Sequence, residues 1–134
     1  KKNYGKTNRN KGHSAEREIA QDFRDIGFIY CKTSRQASRL LDDSKIDLAF
    51  IPYNIQIKAG KQRGLNPIKE LKLMDIEIKK NFPPDDLIHS KPNIVLLRKE
   101  TGSGVKRTKY DTTITMSYLD FLKIVKLLKK ANDI

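Results

Sequence analysis

The stretch KIDLAFIPYNIQIKAG, residues 45–60, decides how the chain reads. Residues two apart in a strand share a face, so Ile46, Leu48 and Phe50 line one side while Asp47 and Ala49 line the other. Downstream, Ile55 and Ile57 line one side and Gln56 and Lys58 the opposite one. Pro52-Tyr53-Asn54 supplies turn chemistry between them, which predicts strands over 46–51 and 54–58 joined as a hairpin. With the turn centred near Pro52 and Tyr53, Asp47 faces Lys58 and Ala49 faces Gln56. A carboxylate, an amide and an ammonium then gather on one face of the hairpin.

Upstream, Ile19, Ala20, Phe23 and Ile26 recur at helical spacing and Gly27 is a good stop, predicting a helix over 14–26. At about 100° per residue Glu16 falls within the apolar stripe, whereas Glu18 points away from it. A carboxylate directed at a core is costly unless it is paired or binds a cation. Two such acids near a lysine suggest a divalent-metal site, because Mg²⁺ takes one or two carboxylates with other oxygen donors. The rival arrangement is an ion pair between Asp47 and Lys58 across the hairpin, with Glu16 paired to Arg17 or Lys11.

Around this centre, residues 28–34 (FIYCKTS) are β-rich and predict a first strand, and 35–45 form a polar, arginine-bearing connection. Asn66-Pro67 reads as a cap with proline at the first helical position, opening a helix that ends near Asn81 and places Ile68, Leu71, Met74, Asp75 and Ile78 at helical spacing. Strands are predicted over 93–99 and 112–116, with a turn at 101–104. Ser117 and Asp120 resemble a capping box for a last helix whose apolar face includes Leu119, Leu122, Val125 and Leu128. Residues 1–12 are basic and polar and read as a flexible arm. The order α-β-β-β-α-β-β-α predicts one mixed α/β domain over 13–134, a central sheet flanked by helices.

Across 134 residues, 28 Lys and Arg stand against 16 Asp and Glu, a net charge of +12. That balance favours a polyanionic partner, and nucleic acid above a membrane surface, since no apolar run approaches the roughly 18 residues of a spanning helix. Cys31 is the only cysteine. An internal disulfide and a cysteine-based zinc cluster are therefore excluded, and a reducing, cytoplasmic compartment is expected. His13 and His89 lack a third nitrogen or sulfur ligand, so any metal would be hard and oxygen-bound.

KGHSAEREIAQDFRDIGF, then SKIDLAF, then IQIKAG resembles, in order and spacing over residues 11–98, the archaeal-type Holliday junction resolvases of the PD-(D/E)XK nuclease superfamily. The resemblance implies a restriction-endonuclease-like αβββαβ core, hydrolysis of phosphodiesters in branched DNA with Mg²⁺ or, in its place, Mn²⁺, and a homodimer making two cuts. Glu16 matches the acid of the first helix, Asp47 the metal-holding strand acid and Lys58 the final lysine. Gln56 departs from the usual Glu or Asp, and its neutral carbonyl oxygen lowers the expected metal affinity. The implied catalytic set is Glu16, Asp47, Gln56 and Lys58, and the implied metal donors are Glu16, Asp47, Gln56 and the Ile57 carbonyl. Nicked, flapped or linear DNA as the substrate, and DNA binding without cleavage, are the alternatives. The family places an arginine and a serine after the first strand, where Lys32, Ser34, Arg35, Ser38 and Arg39 all stand. Lys6, Arg9, Lys11, Arg17, Ser34, Arg35, Arg39, Lys61 and Arg63 are the expected DNA contacts, reading backbone shape and not base sequence.

Overall fold

A computed structural model of the chain describes residues 4–60, 64–99 and 111–132. Lys61, Arg63 and the turn at 101–104 lie outside the described residues. So do the side chains of Lys6, Arg9 and Lys11.

The elements run α1 (Tyr4–Ile26), β1 (Lys32–Thr33), α2 (Ser34–Ala37), α3 (Arg39–Asp43), β2 (Leu48–Ala49), β3 (Asn54–Gly60), α4 (Pro67–Asn81), a 3₁₀ turn (Leu87–Ser90), β4 (Asn93–Lys99), β5 (Thr112–Met116) and α5 (Tyr118–Asn132). The fold is mixed α/β. β3 and β4 pair in parallel, Asn54 opposite Asn93 through Gly60 opposite Lys99, with α4 as the crossover. β5 adds antiparallel to β4, with Ile94 opposite Met116 and Arg98 opposite Thr112. This three-stranded mixed sheet has order β3-β4-β5, and β1 and β2 form a separate antiparallel pair.

One hydrophobic cluster lies on each face of the mixed sheet. On the first, Ala15, Ile19 and Ala20 of α1 pack on Ile55, Ile57, Ile94 and Leu96, with Cys31, Leu48 and Ile51 at the margin. On the second, Met74 and Ile78 of α4 meet Ile46, Ile88 and Val95. The period of two along β3 therefore sends Ile55 and Ile57 towards α1, and Gln56, opposite Val95, towards α4.

Four sequence expectations change. The first helix begins at Tyr4 and not at 14, so residues 4–12, expected as a flexible arm, continue it. Extending an existing helix adds one hydrogen bond per residue fixed and avoids the nucleation cost. Ile26, counted in the apolar stripe, is exposed. The strand expected over 28–34 shrinks to two residues, and the polar connection after it folds into α2 and α3. Finally, the expected 46–51 strand becomes the short β2, which pairs with β1. Lys45 and Phe50 bracket it with φ of 65° and 64°. A left-handed residue at each end turns the chain out of an extended ladder.

Candidate metal centre at the open edge of the sheet

Asp47 precedes β2 and faces the free edge of β3. Its N–H donates to the Ile55 carbonyl at 2.8 Å, and its Oδ2 accepts from the Ile57 N–H at 2.6 Å. The residue opposite Asp47 is thus Gln56, two positions short of the predicted Lys58. Phe50, with φ of 64°, lies in the connection between the two segments. In a strand the N–H and C=O of one residue point to the same side, so the Ile57 carbonyl also lies at the edge that Asp47 occupies.

Burial pushes the Asp47 carboxyl up to about 7. The Ile57 N–H works against that shift, the charges of Glu16 and Asp42 add to it, and the Lys58 ammonium opposes it. Lys58 therefore shares this neighbourhood without standing opposite Asp47. Glu16 projects from α1 with a 13% exposed side chain and forms an ion pair with Arg35 of α2 at 2.5 Å. Burial raises its pKa, Arg35 lowers it, and Asp42 raises it. Among the described residues the ion-pair partner is Arg35 and not Arg17, and the Lys11 side chain lies outside them. Arg17 is exposed and bonds Ser14 Oγ at 3.3 Å.

Gln56 is buried, and its Oε1 finds no hydrogen-bond partner among the described residues. A buried amide carbonyl left unpaired costs about 1–3 kcal/mol, and it is a neutral donor of the kind a hard cation accepts. Glu16, Asp47, Gln56 and the Ile57 carbonyl are all oxygen donors, so the set suits Mg²⁺ in chemical type. Among the described residues no three His, Cys, Asp or Glu side chains group as a metal site. A cation held there would therefore draw on two carboxylates supplemented by neutral oxygens.

Ser34 is fully buried, its Oγ finds no hydrogen-bond partner among the described residues, and its N–H donates to the Asp47 carbonyl at 2.8 Å. It braces Asp47, and its burial sets it apart from the surface DNA contacts among which the sequence placed it. Arg35 is spoken for by Glu16, while Arg39 stands exposed, 3.8 Å from Asp43.

Asp42 is the participant that sequence reasoning missed. It sits on α3, whose start is capped by Ser38 Oγ accepting from the Leu41 N–H at 3.3 Å. Its end is tied by Asn81 Nδ2 donating to Ser44 Oγ at 2.9 Å. A helix of five residues is too short to show a hydrophobic period, and only the Ser38 cap signals it. Compared with known proteins, the chain matches no family model, no characterised protein and no solved structure.

Proposed function

We propose that the chain is a metal-dependent endodeoxyribonuclease with a restriction-endonuclease-like core, and that its substrate is branched DNA such as a four-way junction. What supports the reading is one juxtaposition: Glu16, far from Asp47 in sequence, is close enough for its charge to raise the Asp47 pKa, which the Lys58 charge opposes. The +12 net charge suits a DNA substrate.

Glu16, Asp47, Gln56 and the Ile57 carbonyl would hold Mg²⁺ or Mn²⁺. Such an ion, when bound, supplies Lewis acidity towards a phosphodiester and eases the ionisation of water. The chain's own groups do the rest. Asp47 offers a full carboxylate above about pH 7. Arg35 keeps Glu16 oriented and favours its charged form. Lys58 stabilises negative charge developing on the phosphate oxygens.

Labelled four-way junction, linear duplex and single strand, each incubated with Mg²⁺ or with chelator, test the reading. The expected result is Mg²⁺-dependent cleavage of the junction above the other substrates, lost in Asp47→Ala with junction binding retained. Equal cleavage of nicked, flapped or linear DNA would assign a different substrate within the same chemistry. A second reading, DNA binding without cleavage, draws on Gln56 standing where an acid would hold a metal more tightly. Binding with no cleavage under any metal would favour it.

A further inference from the structure

Strand alternation puts Phe50 on the face of Ile46 and Leu48, and both of those side chains are buried. Phe50 leaves that pattern. Its backbone takes the left-handed φ of 64°, and the residue stands 61% exposed. Positive φ is an outlier for a bulky residue, and such backbone persists only where its surroundings fix it. Here they do, because Ala49 before it and Ile51 after it are both buried. The turn thus holds an apolar ring out of the core, at a defined place on the surface.

That place adjoins a cation and the candidate centre. Lys32 of β1 pairs with Ala49 of β2, and its Nζ lies 5.9 Å from the centroid of the Phe50 ring. Lys32 is itself exposed, on a long stem that can follow a ligand. Asp47 stands two residues before Ala49, about 7 Å along the same segment. Ring, ammonium and metal-type carboxylate therefore share one short stretch of surface.

We infer that Phe50 and Lys32 form a platform for one unstacked nucleobase and its phosphate, beside the centre at Asp47. An aromatic ring accepts the π-face of any base, and an ammonium accepts a phosphate whatever the sequence. Inside a continuous duplex both faces of each base are covered by their neighbours. At a branch point, a flap or a strand end one face lies open, so the ring engages DNA only where the stack is interrupted. Discrimination by shape then comes from a named side chain. A ring already held outward by its backbone also loses little freedom on stacking. The inference rests on the DNA reading, and it holds whether or not the centre cleaves.

The chain has no tryptophan, so Phe50→Trp supplies a single fluorophore at the platform. In chelator this variant is titrated with single strand, linear duplex and four-way junction, while anisotropy of the labelled DNA reports binding. The expected result is quenching by single strand and junction, and markedly less by duplex at equal saturation. Phe50→Ala should weaken binding of junction and single strand about tenfold and of duplex about twofold or less. Lys32→Ala should weaken all three alike. A left-handed φ suits glycine, so Phe50→Gly keeps the turn. Its urea midpoint should match or exceed that of the native chain, while its junction binding falls as in Phe50→Ala. Junction binding unaltered in both variants would overturn the inference. So would quenching that is equal for all three DNAs, or absent while anisotropy shows binding. No binding of any DNA by the native chain would overturn it together with the DNA reading. Quenching by the junction without Mg²⁺-dependent cleavage supports the inference and overturns the nuclease alone.

Discussion

At Asp47 a carboxyl group sits where burial disfavours its charge, and its pKa of about 7 stands above the ordinary 3.8. Below the lower value the group is neutral in both the folded and unfolded chain. Between the two the folded chain holds the proton more tightly, so stability is lost as pH rises through about 7. The full shift corresponds to at most about 4 kcal/mol. In the metal-free protein, Asp47→Asn should therefore raise stability at pH 8 by about 1–3 kcal/mol and change it little at pH 4, as read from urea unfolding at both. Mg²⁺ should raise the pH 8 midpoint of the native chain and leave that of Asp47→Asn unmoved. Gln56 gives the complementary case. Gln56→Glu adds a second buried acid beside Asp47, so the metal-free protein should lose about 1–3 kcal/mol. Mg²⁺ should then restore it at concentrations at least about tenfold lower than the native chain needs. Thermal melts across a Mg²⁺ titration read both effects. Of this site, helical and strand periodicity made legible that Glu16 lies within an apolar stripe, while its approach to Asp47 was one of two arrangements left open. Arg35 as the partner of Glu16, and Asp42 as a third charge, were not legible, because both come from short helices whose placement tertiary contacts decide.

Among the elements, those framed by strong local signals were readable in advance. α4 begins at Pro67 behind Asn66, whose Oδ1 accepts from the Ile68 and Lys69 N–H groups at 3.1 and 3.3 Å. Asn66→Ala should cost about 1 kcal/mol, measured as a lower urea midpoint with an unchanged slope. β4 and β5 also match their predicted bounds, and α5 starts where Ser117 Oγ accepts from the Asp120 N–H at 3.1 Å. The hairpin was misread, since alternation gives faces but not partners. β3 takes β4 as its ladder neighbour from almost forty residues away, and the positive φ of Phe50 has no sequence marker such as glycine. The apolar face of α5 was legible as a pattern, and its residues stand exposed.

For the molecule as a whole, mixed α/β architecture followed from element order and patterning, whereas the placement of α1 and α4 on opposite faces of the larger sheet is a finding of the structure. The division of the strands into two separate sheets did not follow from them either. A net charge of +12 makes salt the natural probe of the DNA reading. Binding of a four-way junction should weaken log-linearly with salt, with a slope of about −0.9 per phosphate contacted and hence several units in all. Competitor duplexes of different base sequence should compete alike. A flat salt response in a filter-binding titration would separate the charge from its supposed use.

The bond from Ile57 N–H to Asp47 Oδ2 spans the seam between the β1-β2 pair and the larger sheet. A side chain there does what a ladder of main-chain bonds does elsewhere, and the amide proton of Ile57 becomes a native spy on the carboxylate. Its exchange with deuterium should accelerate in Asp47→Ala while the amides inside β4 keep their protection. Any ion that draws on the same oxygen would have to compete for it with that proton.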